Sequence, residues 1–377
     1  MKIVYLIAAT ASPGGMERVL SGKANYLAAL GYDVSIVTTD QRGRAPFFAL
    51  DGRIRRYDLG IDYERNNGCS FANKLWHYPL KQWRHYRRLK RLLYSIGADV
   101  TVSMFCNDVR MLPLIHDGSG KVLEAHFSKF KKLQYARRGL WRLADKWRSC
   151  RELRLIPRYD RFVVLTEEDL EDWGRLSNME VIPNARPFET AEAAPLTGRE
   201  VIAVGRYCHQ KNFEELIGIW HSLRPLPQGW HLTIVGDGEL RPALQRLIDE
   251  LELGGEVTLS PAVKDIAPCY LRSSILAMTS RYEGLPMALL EAQACGLPVV
   301  AYACKCGPRD IVTEGEDGFL VDEGDKKTFA SSLLLLMRSP DLRRRMGAAA
   351  RLHSERYSPE VVMRKWITLF ESLKPKK

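Results

Sequence analysis

Short apolar runs alternate along this chain with longer stretches whose apolar residues repeat every three or four positions. Residues 2–8 are nearly all apolar, as in a strand buried on both faces. Residues 16–30 then put Met16, Val19, Leu20, Leu27 and Leu30 on one helical face, and Gly31 ends the helix. Residues 33–38 form the next strand, and the same rhythm returns at 98–103, 121–128, 160–165 and 181–184. It resumes at residue 200, then at 231–239, 257–264, 275–278, 298–301 and 318–321, with helices predicted over 287–294, 329–337 and 359–373. Strand and helix in alternation predict α/β architecture with parallel sheets. Residues 185–198, rich in Pro, Ala and Thr, read as a linker. The expected organisation is therefore a first domain over 1–184, a second over 199–358 and a terminal helix within 359–377.

Composition sharpens this picture in two places. The chain has 377 residues, 46% of them hydrophobic, enough for two cores. Its net charge of +11 calls for an anionic partner: nucleic acid, an acidic membrane surface or a phosphorylated substrate. The charge is concentrated. Lys74, Lys81, Arg84, Arg87, Arg88, Lys90 and Arg91 are interleaved with Trp76, Tyr78, Trp83 and Tyr86, and a second basic cluster with Trp141 and Trp147 runs from 129 to 158. Basic residues mixed with Trp and Leu at helical spacing suit an anionic bilayer surface; no nucleic-acid recognition motif accompanies them. The eight cysteines form no CxxC pair, which supports neither a zinc site nor a disulfide framework and fits reduced cytosolic thiols. Cys304 and Cys306 alone do not make a metal site. The strand pattern at residue 2 is unlike a signal peptide, and no run approaches the ~18 apolar residues that span a bilayer, so a soluble or peripheral cytoplasmic protein is expected.

The densest chemistry lies between the apolar runs 275–278 and 298–301. Gly284 and Pro286 break the chain, and a helix follows from Met287, with Pro286 at its start, where a missing N–H costs nothing. Free N–H groups at the helix start, from Leu285 to Met287 except at Pro286 itself, would face the carboxyl ends of the strands, a natural seat for phosphate. Glu283 and Glu291 flank that seat, and a carboxylate can hold a pair of sugar hydroxyls. Upstream, Arg206 and Lys211 leave a strand end together and could neutralise a diphosphate. In the first half, Gly14 and Gly15 allow close backbone approach to a ligand, without the G-x-G-x-x-G of a dinucleotide fingerprint. The glycines of 231–239 read as a structural turn.

The stretch from Glu283 through Gly284, Leu285, Pro286 and Met287 to Glu291 and Gly296 resembles the paired-glutamate motif of retaining GT-B glycosyltransferases of family 4, and the likeness extends over nearly the whole chain. It implies two doubly wound Rossmann-like domains facing a central cleft, with the last helix crossing back to the first domain. It also implies transfer from a nucleotide sugar, UDP-linked, with retention and with no cofactor or metal. Glu291 would hold the ribose, Glu283 the hydroxyls of the transferred hexose or N-acetylhexosamine, and Arg206 and Lys211 the diphosphate. Gly14 and Gly15 would meet phosphate and sugar, His126 would touch the sugar, and Ala262 or Val263 would meet the base. The acceptor expected is a lipid-linked or other saccharide of surface polysaccharide, lipopolysaccharide or glycolipid synthesis, with the enzyme peripheral on the inner face of the membrane. Two rivals are a UDP-sugar 2-epimerase on the same architecture and a non-enzymatic basic protein that binds lipid or nucleic acid.

Overall fold

Seven-stranded and six-stranded sheets, every neighbouring pair parallel, organise the computed structural model. It describes residues 1–63, 71–129 and 154–374, with the backbone alone for 71–77. The chain divides into two compact units, Met1–Pro183 with Val362–Lys377, and Asn184–Val361.

In the first unit the strands are β1 (Lys2–Ile7), β2 (Asp33–Thr38), β3 (Arg55–Asp58), β4 (Val100–Ser103), β5 (Gly120–Glu124), β6 (Arg161–Val164) and β7 (Met179–Val181), in the order β3-β2-β1-β4-β5-β6-β7. Between β1 and β2 runs α1 (Gly15–Ala29), which buries Leu20, Ala24, Leu27 and Ala28. The helix α2 (Phe71–Ile96) precedes β4, and α3 (Glu167–Trp173) follows β6. Thr166 caps α3 by accepting a hydrogen bond from the Asp169 N–H at 3.0 Å, and the acidic first turn Glu167, Glu168 and Asp169 suits the positive end of the helix. Leu89 and Leu93 of α2 pack with Val4, Leu6, Leu123, Phe162 and Trp173 in the core. Two expectations shift. The sequence pattern shows no strand at 55–58, because Arg55-Arg56-Tyr57-Asp58 is a polar edge strand with no apolar alternation. The strand expected over 121–128 ends at Glu124, so His126 lies in the loop beyond it.

The second unit has β8 (Glu200–Val204), β9 (His231–Val235), β10 (Val257–Ser260), β11 (Ile275–Met278), β12 (Val299–Tyr302) and β13 (Gly318–Val321), in the order β10-β9-β8-β11-β12-β13. The order reverses between β8 and β11, where an open parallel sheet offers a ligand crevice at its carboxyl edge. The helices are α4 (Phe213–Ser222), α5 (Arg241–Glu250), α6 (Ala267–Arg272), α7 (Met287–Ala294), α8 (Pro308–Ile311), α9 (Lys326–Arg338) and α10 (Pro340–Ser354). Leu216, Trp220, Leu232, Ile234, Phe329 and Leu333 are among its core residues. From Ala288 to Ala294 every residue of α7 is buried, as in a helix wholly inside a domain. The segment read as a linker, 185–198, is bonded to this unit: the Ala194 N–H donates to Cys295 O at 2.8 Å, Arg351 donates to Thr190 O at 2.7 Å, and Arg186 pairs with Glu355 at 2.9 Å. The last helix, α11 (Pro359–Ser372), enters the first unit from Val362 onward.

Candidate functional site

In the second unit the loops after β8 and β11 meet at the point where the strand order reverses. Lys211 Nζ donates to Glu283 Oε1 at 2.6 Å, both side chains largely buried, at 17% and 8% exposure. Gln210 Nε2 donates to Tyr282 O at 2.9 Å and to Glu283 Oε2 at 3.3 Å, so both oxygens of Glu283 are held from one loop. The Arg281 N–H donates to Gln210 O at 2.9 Å, and the Glu283 N–H to Lys305 O at 3.1 Å. Burial works against the Lys211 charge, but the Glu283 carboxylate, by its charge and its hydrogen bond, more than offsets this and leaves the ammonium pKa above its ordinary value. The site thus holds a fixed cation and a fixed carboxylate side by side.

Glycines make the approach possible. A Cβ on Gly205 would fall 2.7 Å from Lys211 Cε, and one on Gly307 would fall 2.4 Å from Pro286 Cδ. Gly307 also sits at φ 100°, a conformation that favours glycine. Gly236 and Gly238, read as a structural turn, serve that purpose: their Cβ atoms would meet Gly205 O at 1.9 Å and Tyr207 O at 2.3 Å.

Pro286 caps α7, and no side chain of the capping residue bonds the first turn. Gly284, Leu285, Pro286 and Met287 follow Glu283 directly, so the expected phosphate seat adjoins the Lys211–Glu283 pair in sequence and in space. Glu291 is only 4% exposed, and Tyr270 Oη donates to its Oε2 at 2.8 Å. Arg206 is the more exposed of the two cations. Its side chain is 74% exposed and its partner is Glu239, at 3.4 Å. The two cations differ in setting: Lys211 is enclosed against Glu283, and Arg206 is open to solvent. Val263 is exposed.

In the first unit, Gly14 and Gly15 open α1 just after β1. A Cβ on Gly15 would meet nothing within 4 Å, whereas one on Gly14 would meet the Glu17 carboxylate at 2.2 Å. Burial raises the Glu17 carboxyl, while its own backbone N–H and the charge of His126 pull it back. His126 Nε2 stands 3.0 Å from Glu124 Oε1. Glu124 in turn accepts a hydrogen bond from Lys23 Nζ. In the loop after β4, burial pushes the Asp108 carboxyl up to about 6, with the Ser103 hydroxyl holding it partly down. Sequence reasoning missed Gln210, Glu124, Lys23 and Asp108. Lys23 carried a signal, since it falls three residues after Leu20 and four before Leu27, on the apolar stripe of α1; Glu124 carried another, as a charge inside an apolar strand.

The first basic stretch lies on α2. Its inner face buries His85, Leu89 and Leu93, and burial lowers the His85 imidazole to about 4. Its outer face exposes Leu80, Trp83, Arg84, Arg87, Lys90, Arg91 and Tyr94, with Arg87 4.8 Å from the Trp83 ring centre. The side chains of Lys74 and Trp76, and residues 130–153 of the second stretch, lie outside the described residues.

Two family models match the chain in tandem: Glycosyltransferase Family 4 over residues 13–189 and Glycosyl transferases group 1 over residues 186–353. An uncharacterized glycosyltransferase of Haemophilus influenzae is 30% identical over 97% of this chain and 98% of its own length. The amylovoran biosynthesis glycosyltransferase AmsD of Erwinia amylovora is likewise 30% identical over 97% and 98%. Among solved structures, TarM superposes with a TM-score of 0.79 over 98% of both chains at 16% identity. Anabaena HepE, solved with UDP and glucose, gives 0.74 over 99% of this chain and 100% of its own at 16% identity. With paired doubly wound sheets, tandem family models and full-length relatives in agreement, this chain is a member of the GT-B glycosyltransferases of family 4.

Proposed function

We propose that this glycosyltransferase moves a hexose or N-acetylhexosamine from a UDP-sugar, with retained anomeric configuration, to a lipid-linked or other saccharide acceptor. The observation that carries the reading is the Lys211–Glu283 pair at the carboxyl edge of β8 and β11. Glu283 accepts hydrogen bonds from hydroxyls of the transferred sugar. Lys211, the more exposed Arg206 and the α7 N-terminus at Leu285 to Met287 take up the charge that grows on the leaving diphosphate. Charge fixed in place before the reaction stabilises that growth without any reorganisation. Glu291, backed by Tyr270, serves the ribose. Gly14, Gly15 and His126 are assigned to phosphate and sugar, and Val263 to the base. Front-side displacement, in which the departing phosphate oxygen accepts the acceptor hydroxyl's proton, requires no protein nucleophile and no metal.

The names of relatives support the donor and acceptor classes. HepE was solved with UDP-glucose, and the pneumococcal O-GlcNAc transferase GtfA with UDP and GlcNAc. A Campylobacter jejuni relative, 24% identical over 99% of both chains, is named for transfer of N-acetylgalactosamine to an undecaprenol-diphosphate-linked saccharide. AmsD is named for amylovoran biosynthesis, and LpsE of Rhizobium meliloti for lipopolysaccharide core biosynthesis. No described helix is long and apolar enough to cross a membrane. The basic aromatic face of α2 fits contact with an anionic bilayer, and the reading is a peripheral enzyme on the cytoplasmic face.

The test is UDP release from UDP-sugars with a lipid-linked acceptor. Lys211→Ala and Glu283→Ala should each lower kcat at least ~100-fold, the scale of losing one charge-stabilising contact, while the melting temperature shows a retained fold. Wild-type turnover in either variant removes the site. Turnover should persist in excess EDTA; loss that manganese restores would overturn the metal-free mechanism.

A further inference from the structure

The first unit buries an ion pair that nothing in the mechanism above uses. Glu124, the last residue of β5, is 0% exposed. A buried carboxylate is costly unless compensated. Lys23 of α1 compensates it: Lys23 is itself buried, donates from Nζ to Glu124 Oε1, and lies with that ammonium 3.8 Å from the ring centre of Trp366 on α11 and 5.7 Å from that of Tyr5 on β1. Four elements thus converge on one charge. Burial pushes the Glu124 carboxyl up, but the Lys23 charge, joined by that of His126 when the ring is protonated, outweighs it and holds the group at about 2, so the carboxylate is ionised near neutral pH.

The same Oε1 stands 3.0 Å from His126 Nε2, two residues along the chain in the loop beyond β5. The contact is not aligned as a hydrogen bond, but an ionised carboxylate can only accept, so a bare ring nitrogen at that distance would repel it and the ring is favoured with its hydrogen on Nε2. In a neutral ring Nδ1 is then the acceptor, free to take a hydrogen bond from a sugar hydroxyl. We propose that Glu124, anchored by Lys23 under Trp366, is a positioning residue that fixes the His126 ring and its tautomer for contact with the transferred sugar. This inference rests on the sugar-contact reading of His126 above. It gives the buried pair a task beyond stability, as an outer partner does for a ligating histidine.

Four variants and one spectroscopic readout test it. Glu124→Gln keeps the shape but strands the Lys23 charge, so it could fail for lack of stability alone. The double variant Lys23→Met/Glu124→Gln removes both charges, and such neutral replacements are well tolerated. The double variant should recover the wild-type melting temperature yet keep a kcat loss of roughly 10-fold or more, with KM for the UDP-sugar changed little. In a His126→Ala background, adding the charge-free pair Lys23→Met/Glu124→Gln should cost no further kcat. Independently of activity, the 15N spectrum of histidine-labelled protein, assigned with His126→Ala, should show His126 protonated on Nε2 in the wild type and a mixture of tautomers in the double variant. Wild-type kcat in the stable double variant, or an unchanged tautomer, overturns the proposal. A wild-type chain that turns over no UDP-sugar removes the glycosyl-transfer reading instead, and the spectrum then decides this one alone.

Discussion

Single residues in this protein show how environment, not identity, sets charge. Lys211, largely buried, and Lys23, more fully buried, are each paired with a glutamate. Glu283 leaves the Lys211 ammonium above its ordinary pKa, whereas burial wins at Lys23 and lowers it despite Glu124. Burial governs Asp108 as well, and only the Ser103 hydroxyl and a backbone N–H pull its carboxyl back down. Its folded pKa of about 6 exceeds the unfolded value of about 4. Between those values the folded state binds more protons than the unfolded chain, so stability falls as pH rises from about 4 to about 6 and stays reduced above. A carboxyl that titrates about two pH units too high costs the fold roughly 3 kcal/mol at neutral pH. Asp108→Asn should therefore unfold at higher urea than wild type at pH 8, and the advantage should shrink at pH 4. Urea melts at the two pH values check this; a variant less stable than wild type at pH 8 contradicts the account.

Elements divide by how plainly the sequence declares them. Helix α7 spans the residues its glycine, proline and apolar run predicted, Met287–Ala294, because local signals and burial agree there. Lys211 and Glu283 were legible too, since each sits one loop beyond a run of buried-strand residues. Strand β3 was not, because an edge strand of Arg, Arg, Tyr and Asp has no period to read. Nor was the partner of Glu283, Gln210, because a polar residue in a loop carries no pattern. Helix α2 was legible as amphipathic, and the structure assigns its faces: His85, Leu89 and Leu93 inward, and Trp83, Arg84, Arg87, Lys90 and Arg91 outward. Among residues 71–96 there is no acid to temper this charge. If the face meets an anionic bilayer, each cation near the surface adds about 1 kcal/mol. Reversing Arg84, Arg87 and Arg91 to Glu should then weaken binding to phosphatidylglycerol vesicles by roughly a hundred-fold or more. Sedimentation with vesicles measures this. Equal binding of variant and wild type, or binding indifferent to salt, would exclude the face as the contact.

At the scale of the whole molecule, the chain order and the folding units disagree. The first unit takes its last helix from the end of the chain, after all of the second unit has been passed. The helix is not an ornament. Val362, Met363, Trp366, Leu369 and Phe370 are buried, Trp366 covers the Lys23 ammonium, and Leu373 lies so close to Gly120 that a Cβ there would fall 2.9 Å from its own. Five buried apolar side chains at about 1.5–3 kcal/mol each rival the whole stability of a domain, about 5–15 kcal/mol. The removal of α11 also strips the aromatic cover from a buried lysine. A fragment of residues 1–183 should therefore fail to unfold cooperatively in urea, whereas 184–361, whose linker segment and core are internal to it, should unfold in a single transition. Adding a peptide of residues 359–377 should rescue the first fragment in a concentration-dependent way, since a partner that binds only the folded state stabilises it by mass action. Circular dichroism of the two fragments, with and without peptide, decides the matter: a cooperative melt of 1–183 alone would mean that the returning helix covers the unit without completing it.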